Sequence, residues 1–566
     1  MMKHLRRLPL HRWLCILLLT PALALAACSS IPVTGSVQAG SAVVQPDEGS
    51  IEFLPASPVD GANQESILRG FLDAATSSAN NYEIARKYLT KEASSNWQPS
   101  ASVLLDDGSR VVTRNTENSY SATFTSTAAV DAVGRLTLFD SETEVTTVYS
   151  FAKVKDQWRL SEVPPGIVLT RVTFPQVFAT HPLFYLDATG TELVPDVRWF
   201  ASGASLSTLV VRALLAGPSS WLSDPGAVWS AFPDNTTLMA DAVPVQQSVA
   251  QVNVSFPEGT AAPDTAAMYR QLGASLGTVS SVSRVALSIN GTAQPAQGSD
   301  NVARLVTSSI DTRPYVLREG SVGFVGPAGI SPNEVFSKQI DGMTPTVMSL
   351  SASGSLLSVG TDQGLTLLRD IGQPLKLNSS AGIIATAIDP HNFIWSVENP
   401  LRHAVTAYTP SGEAHPVNVD ELDGLTLVDL RISPDGSRAV LLTTENGSTR
   451  VDVAGISRDE NGTPLGLGAL HTVATPVGSP VSVSWAGLTS VAYVSVGGDG
   501  KTHVASHVVG GFEQSVPSAP EITRIVGANN PQQLSVLSSD GTLRTLRSGS
   551  SWTTLSSQIS VLGVAG

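Results

Sequence analysis

From about Tyr315 onward the chain repeats itself, and that repeat constrains its fold more than any other feature. Short apolar strands alternate with Asp/Gly/Asn turns. One group of turns recurs as Ser351-Ala352-Ser353-Gly354, Asp389-Pro390-His391-Asn392, Ser433-Pro434-Asp435-Gly436 and Trp485-Ala486-Gly487. A fifth, Ser538-Ser539-Asp540-Gly541, looks one strand out of phase. Each turn follows a strand and precedes an apolar one, as Leu430-Arg431-Ile432 and Ala439-Val440-Leu441-Leu442 flank the third. A second turn often follows, at Asp362-Gln363-Gly364, Glu445-Asn446-Gly447 and Gly498-Asp499-Gly500. The spacing runs from the high thirties to the low fifties, against ~40–45 residues for a four-stranded propeller blade. A β-propeller of about five or six blades over 315–566 is expected. A pair of β-sandwiches is the alternative, and the regular period speaks against it. The longest interval, Ser433 to Trp485, carries an insertion around Asp459 to Gly468.

The other end of the chain is equally specific. Lys3, Arg6, Arg7 and Arg12 precede an apolar stretch from Leu14 to Ala24, which leads into Leu25-Ala26-Ala27-Cys28. The stretch is too short to span a bilayer, which takes about 20 apolar residues. It fits the roughly 7–15-residue core of a secretory signal peptide. Cleavage between Ala27 and Cys28 is expected, with Cys28 carrying S-diacylglycerol and N-palmitoyl groups as a bacterial lipoprotein does. Arg6-Arg7 raises a twin-arginine export route, but the flanking residues fit it poorly and the Sec route is expected.

Composition narrows the function. The chain has two cysteines, and Cys15 falls inside the segment to be removed. With Cys28 lipidated, no disulfide, thiol nucleophile or Cys-based metal site is available. Removing residues 1–27 shifts the net charge from −14 to −18. A nucleic-acid binder would show a basic stripe, and a polybasic membrane patch is equally absent. Attachment to the cytoplasmic membrane therefore falls to lipid, and the two chains of a diacylglycerol suffice.

Between these ends, 28–58 reads as a lipidated terminus and Ser/Gly/Pro-rich tether. Residues 59–164 read as an α+β domain, whose helical hairpin, following strands and terminal Gln157-Trp158-Arg159-Leu160 resemble the NTF2-like fold. Ile67, Leu68, Phe71 and Leu72 mark one helix and Tyr82, Ile84, Ala85, Tyr88 and Leu89 a second, with a break at Asn80-Asn81. Strands follow at Val103 to Leu105, before an Asp106-Asp107-Gly108 turn, then at 119–127, 134–139, 143–153 and 158–163. Residues 165–305 read as an α+β domain, in which Leu209-Val210-Val211-Arg212-Ala213-Leu214-Leu215-Ala216-Gly217-Pro218, followed by Ala231-Phe232-Pro233, resembles a GerMN module. Strands are expected at 168–178, 182–187, 193–200, 249–255 and 282–289. A helix over 207–216 has Ser205 as a candidate N-cap and Gly217-Pro218 as its stop, and a second covers 264–276.

A search for chemistry finds little. There is no Gly-x-Ser-x-Gly, His-Glu-x-x-His or phosphate-binding loop. Gly466-x-Gly468 is a loop. His503 and His507 sit on an expected strand, about 13 Å apart, too far to share an ion. His181, His391, His403, His415 and His471 are isolated. Asp420-Glu421-Leu422-Asp423-Gly424 lacks calcium-loop spacing and reads as a solvated turn. Glu142 and Glu144 share a strand face, where paired carboxylates could serve a glycosidase or simply face solvent. Trp199, Trp221 and Trp229 are candidates either for a carbohydrate surface or for core anchors. No catalytic residue, cofactor or metal ligand is assigned.

Cys28-Ser29-Ser30-Ile31-Pro32, Arg69-Gly70-Phe71-Leu72 and Tyr82-Glu83-Ile84-Ala85-Arg86-Lys87-Tyr88-Leu89-Thr90, together with the domain order, resemble the lipoprotein LpqB family of high-GC Gram-positive bacteria. The resemblance covers essentially the whole chain. It implies a non-enzymatic protein on the outer face of the cytoplasmic membrane. It further implies contact with the extracellular domain of the sensor histidine kinase of an MtrAB two-component system, and modulation of cell-wall homeostasis and division. Cell-wall glycan or peptide binding, or a propeller-based cell-wall hydrolase, is the alternative.

Overall fold

The computed structural model describes residues 55–565, apart from 261–262, 297–310, 399–403, 423 and 548–549. They belong to one compact unit. Ala27, Cys28 and the tether lie outside the described residues, as do His403 and Asp423.

The first domain begins with three helices, α1 (Gln64–Ala74), α2 (Ala79–Arg86) and α3 (Lys91–Asn96). Asn63 caps α1 through its side chain, and Thr90 caps α3. Ile67, Leu68, Phe71 and Leu72 all point inward from α1. The expected break at Asn80-Asn81 is a left-handed turn: Asn80, Asn81 and Tyr82 have φ of 49°, 57° and 60°. The helices pack with Phe124, Tyr149 and Leu160 of a curved sheet in a single core. Its strands are β1 (Ser102–Thr116), β2 (Ser119–Asp131), β3 (Leu136–Val154), β4 (Gln157–Glu162) and β5 (Ile167–Thr170), in the order β4-β3-β2-β1-β5.

Three details depart from the sequence reading. Asp106-Asp107-Gly108 is not a turn but a bulge within β1, where Asp106 is buried and bonds Arg110 at 2.8 Å. Residues 134–139 and 143–153 form one strand, β3, whose register jumps between Ser126 and Ala128 of its partner. Residues 168–178 are not one strand of the second domain. They supply β5, parallel to β1, and a short helix, Phe174–Val177.

The second domain pairs a long hairpin, Phe178–Asp187 with Leu193–Ala201, and a second sheet built on Val249–Ser255 parallel to Arg284–Ile289. The helices Leu206–Leu215 and Thr265–Leu276 pack both sheets into one core. Asp264 caps the second helix through its side chain. Ser205 sits at the N-cap of the first, but its side chain makes no capping bond.

The remaining chain forms a propeller of six four-stranded blades. Blades 2 to 6 begin with Val347–Leu350, Ile383–Ile388, Leu425–Ile432, Ser479–Trp485 and Ile522–Gly527, each running outward through successive antiparallel strands. Blade 1 takes Tyr315–Arg318, Ser321–Gly326 and Gly329–Pro332 from its start, and its inner strand, Ile559–Ala565, from the far end of the chain. Between each pair of neighbouring blades lies one apolar cluster, six around the ring. This follows from strands buried on both faces, which read as continuous apolar runs such as Val440-Leu441-Leu442.

The turn groups at 351, 389, 433 and 485 join the first and second strands of blades 2 to 5. Ser538–Gly541 joins the second and third strands of blade 6, one strand late. The insertion in blade 4 splits its outer strand into Pro464–Leu467 and His471–Ala474, both paired with Ser448–Arg458.

Candidate functional site at the three-domain junction

The second domain docks on one face of the propeller, at the first-to-second turns of blades 3 and 4 and the third-to-fourth turns of blades 4 and 5. Strand alternation puts Trp199 of the hairpin toward blade 5. Its indole Nε1 donates to the carbonyl of Gly510 at 2.9 Å, and its ring lies 5.0 Å from Phe174 and 5.5 Å from Phe512. Arg171 covers Phe512 at 5.1 Å. One aromatic cluster therefore joins all three domains. Trp221 stacks on His471 at 5.7 Å and 9°, so the blade 4 insertion serves as a docking surface. Gly455 and Gly468 allow the close approach: a Cβ at Gly468 would fall 2.6 Å from Pro225. Trp229 keeps to its own domain, with 40% of its surface exposed and its Nε1 donating to the carbonyl of Asp187. The three tryptophans therefore do not share a surface.

Replacing Trp199 with alanine removes the hydrogen bond and the ring contacts together. We expect a loss of about 2–3 kcal/mol, and a propeller that unfolds separately from the first two domains. Calorimetry of the full-length protein checks this; a single unshifted transition would contradict it.

The hairpin tip, Asp187 to Glu192, meets blades 3 and 4. Buried Asp389 accepts from Trp395 Nε1 at 2.8 Å and from Arg458 at 2.7 Å. Asp187 Oδ2 lies 3.8 Å from His391 Nε2. Burial, reinforced by Arg458, lowers the His391 pKa below the usual imidazole value, although Asp389 and Asp187 oppose the shift. Burial raises the Glu192 carboxyl, with Asp187 and Asp435 adding to it. Burial also lowers His471 and His507. Shifts in this direction favour the neutral imidazole; His391 Nε2 is buried without a hydrogen-bond partner, and His471 stacks on Trp221.

The other sequence candidates are scattered. His181 is buried against Thr278 at 3.2 Å. His503 is exposed while His507 is buried with its Nδ1 2.9 Å from the Val508 carbonyl, so the two occupy different surroundings. His415 packs edge-on to Phe393. Glu142 and Glu144 are exposed on β3. Glu421 accepts from the Leu470 amide at 2.8 Å within a short helical turn. Gly466 lies on a strand. Among the described residues, no group of three His, Cys, Asp or Glu side chains could hold a metal ion, and no helix is long and apolar enough to cross a membrane.

Two cavities adjoin this framework. A cleft of about 1070 Å³ opens between the first and second domains, with Asn80, Tyr82, Trp199, Arg212 and Asp241 in its wall. A smaller cavity of about 340 Å³ lies where all three domains meet, walled in part by Arg135, Arg198, Arg438 and His471. Nothing local in the sequence marks these arginines, which come from three separate domains.

Fold and site together define a three-domain protein, with cavities at its domain junctions and its second domain packed against a propeller. The chain belongs to the lipoprotein LpqB family. The family model for the lipoprotein LpqB N-terminal domain matches residues 57–175, and that for the lipoprotein LpqB beta-propeller domain matches 339–560. Between them, the sporulation and spore germination model matches 182–295. Lipoprotein LpqB of Bifidobacterium longum is 24% identical, over 95% of this chain and 96% of that protein. Lipoprotein LpqB of Rhodococcus jostii is 26% identical over 84% of each. Lipoprotein LpqB of Mycobacterium tuberculosis is 32% identical over 34% of this chain and 33% of that protein. All three are named as lipoproteins and none as an enzyme.

Proposed function

We propose that this chain is a lipoprotein held to the outer face of the cytoplasmic membrane by lipid on Cys28. There it acts as a non-enzymatic accessory to the sensor kinase of an MtrAB-type two-component system, in cell-wall homeostasis and division. The observation that carries this reading is the match, along nearly the whole chain, to proteins named as lipoproteins. The domain arrangement supports a binding role. With one propeller face occupied by the second domain, the opposite face presents exposed turns at Asp362-Gln363, Asn446-Gly447 and Gly498-Asp499-Gly500. A rigid face of this kind supports docking of a folded partner such as an extracellular sensor domain. Co-purification from membranes tests the partner. We expect the kinase to be enriched with this protein; no enrichment over an unrelated lipoprotein overturns the proposal.

The anchor has its own test. Cys28→Ala should move the protein from the membrane fraction to the soluble fraction. Its unfolding free energy should change by less than about 0.5 kcal/mol if carrying lipid is the residue's sole role. Retention in the membrane, or unfolding, contradicts the assignment.

A second reading, binding of cell-wall glycan or peptide, is favoured by the large cleft, whose wall mixes aromatic rings with amide, hydroxyl and charged groups. Co-sedimentation with purified cell wall tests it. Turnover of the same material would instead favour a hydrolase.

A further inference from the structure

We infer that the cavity at the three-domain junction is a binding site for a small oxyanion, gripped by one arginine from each domain. Arg135 comes from the turn joining β2 to β3, Arg198 from the hairpin strand Leu193–Ala201, and Arg438 from the second strand of blade 4. All three line one cavity of about 340 Å³, and Asp196 is the carboxylate that lines it with them. Each guanidinium has one carboxylate beside it, Asp131, Asp196 or Asp435, so only the donors those pairings leave over are open to a ligand.

The pairings of these groups leave donors over. Asp196 is fully used: its Oδ1 takes Arg198 Nη1 at 2.5 Å and Ser219 Oγ at 3.1 Å, and its Oδ2 takes the Ser219 amide at 2.7 Å. Arg198 also reaches Ser219 Oγ at 3.0 Å and the Gly217 carbonyl at 3.4 Å. Arg135 bonds the carbonyls of Gly217 and Pro218 at 3.4 and 3.1 Å, and its nearest carboxylate, Asp131, is 3.8 Å away. Arg438 pairs with Asp435, bonds the Leu488 carbonyl at 2.6 Å, and lies 4.7 Å over the Trp485 ring. A guanidinium offers five N–H donors. In all three arginines the Nε group is buried without an acceptor. Three separate domains thus contribute incompletely satisfied guanidiniums to the wall of one cavity.

Arginine is the side chain suited to planar and tetrahedral oxyanions. The volume admits a phosphate or a carboxylate group. Trp221 and His471 form an adjoining wall as a stacked pair, and burial keeps that imidazole neutral. It can therefore serve as a hydrogen-bonding group without competing for charge. An anion seated here contacts all three domains and favours their docked arrangement, since a ligand that binds the assembled state stabilises it.

The test is calorimetric titration of the full-length protein in detergent with inorganic phosphate, at constant ionic strength set with chloride. We expect saturable one-site binding and a higher unfolding temperature. Arg135 is partly exposed, so Arg135→Gln should fold and should weaken binding at least tenfold. Ser220→Asp places a carboxylate at the cavity wall without touching a buried pair and should abolish binding. Arg114→Gln, on the exposed end of β1, should change nothing. Acetate in place of phosphate separates the two chemistries: binding of either supports the site and identifies its class. No saturable binding of either into the millimolar range overturns the proposal, as does native affinity in both Arg135→Gln and Ser220→Asp.

Discussion

Replacing Asp429 with alanine should destabilise the propeller by about 3–5 kcal/mol, the cost of leaving buried charge unpaired. Asp429 lies on the inner strand of blade 4 and is almost wholly buried. Its carboxylate holds two guanidiniums, Arg431 at 3.0 Å and Arg524 of blade 6 at 3.2 Å. It also accepts from Ser482 Oγ and the Val483 amide of blade 5. One side chain thus ties the inner strands of three blades. Burial pulls the Arg431 guanidinium down to about 10, with Arg524 adding to the shift against the pull of Asp429. Without Asp429 two cations are left near each other unpaired, Arg431 fully buried and Arg524 mostly so. Asp429→Asn keeps the shape and an acceptor but loses the charge, and should recover only part of the loss. Glu445→Ala removes a carboxylate from a half-exposed pair with Arg450 and should cost less than about 1 kcal/mol. Urea unfolding of the three full-length variants checks the order. An Asp429→Ala loss no larger than that of Glu445→Ala would show that the cluster is hydrated and contributes little.

What could be read in advance was what is local. Turn residues recur because each blade must reverse its chain at the same place, so the period survives in sequence even where identities drift. Ser538–Gly541 looked out of phase because blade 6 makes its first turn at Ala528–Gln533, without the Asp-Gly pattern. The helices of the first two domains were visible from apolar spacing and caps. The Asp106-Asp107-Gly108 bulge was not, because three turn-forming residues read alike in a hairpin and in a bulge. What separates them is the Arg110 partner and the pairing of residues 110–116 with β2.

The junction was illegible for a different reason. Trp199 lies 311 residues from Gly510, Arg135 is comparably far from Arg438, and nothing beside them differs from an ordinary strand or turn. The two partial signals were the concentration of tryptophan in the second domain and the overlong interval in blade 4. Two of the three tryptophans and the insertion are docking features: Trp199 meets Gly510, and Trp221 meets His471, across the domain boundary. The least visible element was the last strand. Its partner, Tyr315–Arg318, is about 240 residues earlier, and an apolar run such as Ile559 to Leu562 does not state which sheet edge it will join.

That strand supports the largest effect expected of any change. A chain ending at Gln558 should fail to close its propeller. Ile559–Ala565 pairs antiparallel with Tyr315–Arg318 and parallel with Ser349 and Leu350, so it joins blade 1 to blade 2. Ile559, Val561 and Leu562 are nearly fully buried. Each such side chain contributes about 1.5–3 kcal/mol, so the three together approach the 5–15 kcal/mol that holds a whole domain. Their loss also uncovers Val316, Val526 and Leu537, which share a cluster with Ile559 and Leu562, and leaves two strand edges open. Limited proteolysis with mass analysis should show cleavage throughout 315–558. The first two domains have cores of their own and should resist longer. Leu562→Asp tests the same closure in the full-length chain by burying a carboxylate with no partner, and should produce the same cleavage pattern. A truncated chain with the native protease-resistant fragment and unchanged unfolding temperature would mean that the ring is held by its five remaining blade contacts and does not depend on closure.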